Sequence, residues 1–113
     1  MKNFLTTYFA EYTKLAFDRS IYQTIEHFKS FALEVKTADA KLIFACNGVS
    51  SAKELDLRVV TFAGRNINNS LKSHGDINFW VNSNAYNIVE CIHMIWATTV
   101  IDAIVGSSEY QVS

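Results

Sequence analysis

The residues best suited to chemistry lie in one stretch, Lys41 to Ala52, which reads KLIFACNGVSSA. Leu42 to Cys46 is a short apolar run, Asn47-Gly48 breaks it, and Ser50 and Ser51 open a segment with helical character. This order predicts a strand, a tight turn and a helix start. The unbonded N–H groups of such a helix's first turn point out of the carboxyl end of the sheet, where they suit an anion. Serine hydroxyls there add donors, so Asn47, Gly48, Ser50 and Ser51 form a candidate phosphate site. The same residues are ordinary turn formers, and a plain strand-to-helix turn capped by serine also explains them. Cys46 and Cys91 stand alone inside apolar segments without C-x-x-C spacing. They read as small buried thiols in a reducing compartment, and no metal site is expected. His27, between Glu26 and Phe28, reads as a partly exposed helical histidine.

The elements that must position this loop follow from periodicity. Leu5, Tyr8, Phe9, Tyr12, Leu15 and Ala16 predict an amphipathic helix over Asn3 to Phe17. Ser20 with Gln23 fits a capping box for a second helix running to about Val35, with Ile21, Ile25, Phe28, Ala32 and Val35 as its stripe. After the first strand, Leu42 to Cys46, Val49 to Leu55 has room for two helical turns. Leu57 to Ala63 is a second strand ended by Gly64, and Ile77 to Val81 a third. Ser83 or Asn84 is placed to cap a last helix, Ala85 to Val105, and Gly106 to stop it. That helix is apolar nearly all round. Glu90, His93 and Asp102 interrupt it and no Lys or Arg flanks it, so burial between the sheet and a partner subunit is expected rather than a membrane span.

Strands alternating with helices predict a three-layer, Rossmann-like α/β fold: a parallel sheet of about three strands, two N-terminal helices and a long C-terminal helix. The 113 residues read as one domain, with residues 1–36 as the helical pair and 41–106 as the α/β core. Half of the residues are hydrophobic, which excludes a disordered chain. The formal net charge is −1 and the basic residues are scattered, so there is no electrostatic footprint for nucleic acid or an anionic membrane. No leader segment is evident, and a cytoplasmic location is expected. The wide apolar helices predict a homo-oligomer.

These blocks resemble the SIS (sugar isomerase) domains, and most closely the phosphoheptose isomerases. Ala45 to Ala52 is similar to the family's G-N-G-G-S-A loop. Leu57 to Gly64 resembles its late strand and T-G turn, Asp76 to Ser83 its last strand, and Tyr86 to Gly106 its C-terminal helix with an I-x-E…H pattern. The two N-terminal helices are similar as well, so the resemblance covers nearly all of the chain. It implies a sugar phosphate as ligand, related to sedoheptulose 7-phosphate, with no cofactor. The phosphate would be held by Asn47, Gly48, Ser50 and Ser51. His93 would be the acid of an enediol proton transfer and Glu90 its neighbour.

The chain departs from that family in three ways. The long middle helix with the general-base glutamate, two further strands and a second Ser/Thr-rich phosphate loop have no counterpart. Cys46 and Val49 replace small loop residues that let backbone approach phosphate. The family's histidine falls seven positions after the glutamate, which here is Ala97. His93 is one turn short of it. The resemblance therefore implies sugar-phosphate binding with the catalytic apparatus incomplete. A non-catalytic self-associating module and a shortened form without activity are the alternatives.

Overall fold

The computed structural model describes residues 2–37, 42–45, 58–65 and 73–109. Two helices come first, α1 (Lys2–Ala16) and α2 (Ser20–Thr37). Three strands follow, β1 (Leu42–Ala45), β2 (Arg58–Gly64) and β3 (Ile77–Val81), and then α3 (Tyr86–Val105). The strands form one sheet in the order β1-β2-β3. Both ladders are parallel, with Ala45 opposite Thr61 and Ala63 opposite Trp80. The two helical turns expected over Val49 to Leu55 lie outside the described residues.

The pleat sorts β2 and β3 into two faces. Val60 and Phe62 of β2 and Ile77, Phe79 and Val81 of β3 face one core with Ile25 and Phe28 of α2 and Ile92, Trp96 and Val100 of α3. Phe79 sits at its centre, stacked on Phe62 at 4.8 Å and against Trp96 at 5.7 Å. Val59, Thr61 and Ala63 point the other way and are also buried. There Thr61 donates to Asn78 Oδ1 at 2.7 Å, and the Gly75 N–H donates to the same oxygen. Thus the one buried polar residue of β2 has its hydrogen bond. The described helices all belong to the first core.

Long-range hydrogen bonds fix the helices on the sheet. The indole N–H of Trp96 donates to the carbonyl of Ala16 at 2.9 Å, meeting one of the carbonyls that the end of α1 leaves unbonded. Gly64 allows α3 to approach β2, since a Cβ built on it would lie 2.6 Å from Val89 Cγ1. At the other end of the strands Asp76 holds the β2 backbone: its carboxylate accepts from the Val59 N–H, and its own N–H donates to the Val59 carbonyl.

Three expectations are corrected. The start of α2 is capped by Asp18, whose Oδ1 accepts the Ser20 N–H at 2.9 Å, and not by Ser20. Asp18 lies far enough upstream for its oxygen to reach a first-turn donor. Cys91 is exposed rather than buried, because it falls to one side of the Ile88–Ile92–Trp96 stripe that meets the sheet. Cys46 lies outside the described residues. The last helix starts from Ala85 rather than from Ser83 or Asn84, and on its side away from the sheet Tyr86, Met94, Ile101, Ile104 and Val105 are exposed. Its N-cap is Ala85, whose N–H donates to Ser83 Oγ, and Gly106 ends it in the left-handed conformation, with its N–H on the Asp102 carbonyl. By length and composition α3 is able to cross a membrane.

Candidate functional site

Each parallel strand delivers its carboxyl end to the same edge of the sheet, the usual place for ligands in such folds. β1 ends at Ala45, opposite Thr61. Asn47, Gly48, Ser50 and Ser51 lie outside the described residues.

His93 reaches the same edge from α3. Its ring is half-buried, and Nε2 lies 3.0 Å from the carbonyl oxygen of Ala63. A carbonyl only accepts, so the ring proton in that bond belongs to Nε2, and Nδ1 is the nitrogen left for a ligand. Phe62 packs edge-on against the ring at 5.4 Å and fixes its plane. Ala63 lies two residues past the β1 pairing, roughly 7 Å further along the strand at the usual rise. Glu90 is exposed one turn earlier on α3. His27 is exposed on α2, as its pattern implied.

Arg65 is a residue that the sequence pattern does not single out. It follows Gly64 directly at this edge, with φ of 68°. Its N–H donates to the Ser83 carbonyl at 2.8 Å and ties the ends of β2 and β3 together. A non-glycine residue there carries backbone strain. Arg65 is exposed and brings a permanent positive charge to the carboxyl edge of the sheet, where β1 ends at Ala45. A glycine immediately before it was the only sequence signal of an unusual turn.

A concavity of about 310 Å³ lies between the α1–α2 corner and α3. Its walls include Phe17, Tyr22, Ile25, Ile95 and Trp96, with Glu26 and Thr99 as its polar groups. This apolar, carboxylate-bearing groove is chemically unsuited to a phosphate, and none of the predicted site residues lines it. Among the described residues, no three His, Cys, Asp or Glu side chains converge as a metal site would require. No known family matches the chain, and neither a curated protein nor a solved structure resembles it.

Proposed function

We propose that the carboxyl edge of the sheet binds a sugar phosphate, as the SIS-like loop implies, and that this chain holds its ligand without turning it over. The supporting observation is the His93–Ala63 hydrogen bond. It brings a histidine to the edge where β1 hands over to the Asn47–Ser51 loop and where Arg65 adds a cation. In this reading the loop's N–H groups, Ser50 and Ser51 take the phosphate, Arg65 balances its charge, and Nδ1 of His93 meets a sugar hydroxyl. Binding without turnover follows from the missing base: one nitrogen of His93 is engaged with backbone, and exposed Glu90 has no enclosed position from which to move a proton between carbons. A three-layer, Rossmann-like sandwich within one SIS-like domain is part of the same reading.

The test combines ligand-induced thermal stabilisation with an isomerisation assay on the purified chain, using sedoheptulose 7-phosphate and, separately, inorganic phosphate. The expected result is stabilisation by the sugar phosphate, lost in Ser50→Ala/Ser51→Ala and reduced in His93→Ala, with no ketose–aldose conversion. Turnover abolished by both variants would make the chain an isomerase instead. Equal stabilisation of wild type and the serine variant would remove the loop from the site.

A further inference from the structure

The outward side of α3 carries a second apolar stripe that the core does not use. Ile88, Ile92, Trp96 and Val100 face the sheet. Met94, Ala97, Ile101 and Ile104 recur at three- and four-residue steps on another side of the helix, with Met94 65% and Ile101 51% exposed. This is the spacing of a helix-pairing seam. Thr98 lies beside it, and its hydroxyl is turned back onto the Met94 and Ile95 carbonyls, leaving its methyl group to a neighbour. The apolar surface continues onto α1, because Tyr12 meets Cys91 at the seam's margin and Phe9 packs against Tyr12.

We propose that this face is the interface of a homodimer in which two α3 helices pair antiparallel about a two-fold axis between Ala97 and Thr98. This interface is separate from the ligand edge proposed above. Three observations choose a second copy over other occupants. First, the stripe is self-complementary: the axis sets Met94 opposite the partner's Ile101, and the small residues Ala97 and Thr98 opposite each other where the backbones come closest. Second, the antiparallel sense sets Glu90 opposite the partner's Val105, so the two glutamates lie roughly 22 Å apart at the helical rise, whereas a parallel pair would stack them. Third, the area is sufficient. On α3 alone Tyr86, Met94, Ile101, Ile104 and Val105 are each 41–66% exposed. Together they leave on the order of 500 Å² uncovered, so that a pair buries about 1,000 Å², the size at which specific interfaces begin. Lipid fits less well. The opposite side of α3 is packed on the sheet, and α3 contains no Lys or Arg to meet anionic headgroups.

Sedimentation equilibrium of the full chain at micromolar concentration tests this. Twice the chain mass is expected, and Ile101→Lys is expected to give the single mass with an unchanged circular dichroism spectrum. A cross-linking arm fixes the geometry. In a chain with Cys46→Ser and Cys91→Ser, Ala97→Cys should form a disulfide-linked dimer under mild oxidation. Met94→Cys should not, since its two copies stand roughly 10 Å apart along the axis. A monomeric wild type, a lysine variant that remains dimeric, or efficient cross-linking through Met94→Cys but not Ala97→Cys overturns the proposal. So does a chain that is monomeric in solution and floats with phosphatidylcholine–phosphatidylserine vesicles, which would assign the face to lipid.

Discussion

In the proposed reading Arg65 serves the ligand edge at the expense of the fold. Its φ of 68° lies where a Cβ meets the following carbonyl, at a cost of about 1–2 kcal/mol. Glycine has no such cost there. The turn itself is held by the Arg65 N–H to Ser83 carbonyl bond, which uses backbone alone and survives a change of side chain. Arg65→Gly is therefore expected to raise the unfolding free energy by about 1 kcal/mol in urea denaturation, while weakening sugar-phosphate binding. Arg65→Ala separates the two effects, since it keeps the strain and removes the positive charge. If Arg65→Gly lowered stability, the guanidinium would be holding the fold rather than serving a ligand. His93 illustrates the limit of reading such residues from a chain. A histidine on an apolar helix is visible in sequence, but its partner is the backbone of Ala63, and no pattern of side chains announces a carbonyl. The same holds for Trp96 and the Ala16 carbonyl.

At the scale of elements, the ends of helices were legible only where local chemistry decides them. Gly106 stops α3 as its type and position foretold, because the left-handed C-cap is a property of the glycine itself. The start of α2 was less legible because Asp18 and Ser20 are both capping residue types two positions apart, and here Asp18 accepts both the Ser20 N–H and the Ser20 hydroxyl. That choice has a pH consequence. The Ser20 N–H, and then the Ser20 hydroxyl, hold the Asp18 carboxyl below its ordinary 3.8. A carboxyl whose folded value is depressed contributes stability above its unfolded value. That contribution is lost as pH falls through the lower folded value. Between neutral pH and about pH 3, the melting temperature of wild type should therefore fall more than that of Asp18→Asn, which keeps an acceptor but has no charge to lose. Equal slopes would mean that the cap contributes nothing through its charge.

The packing of α3 on β2 gives a second check at this scale. A methyl at position 64 meets Val89 Cγ1 at 2.6 Å and Cγ2 at 2.9 Å, but Val89 Cβ only at 3.4 Å. Gly64→Ala should then cost about 1–3 kcal/mol through overpacking. In a Val89→Ala background both close carbons are gone, so the same substitution should cost well under half as much. A double-mutant cycle in urea measures that coupling, and additive effects would place the strain of Gly64→Ala elsewhere than on Val89.

For the molecule as a whole, the sequence carried the order of its elements better than their surroundings. Periodicity and punctuation placed α1, α2, β3 and α3 within a residue or two, since each is set by its own side chains. The face that an element presents is a tertiary matter. In α3 nearly every position is apolar, so its pattern could not say that Ile92 is buried and Met94 open, nor that Cys91 is exposed. The histidine and arginine at the carboxyl edge depend on strand register, which no local pattern carries. An apolar helix covered on one side only also makes a thermodynamic statement about the assembled state. If a second copy covers the other side, unfolding dissociates the dimer, and mass action links stability to concentration. A tenfold rise in protein concentration should then raise the melting temperature by about 3–5 °C for a domain of this size. Ile101→Lys should melt at one temperature at every dilution. A wild-type melting point independent of concentration would mean that the exposed face of α3 contributes nothing to stability by self-association.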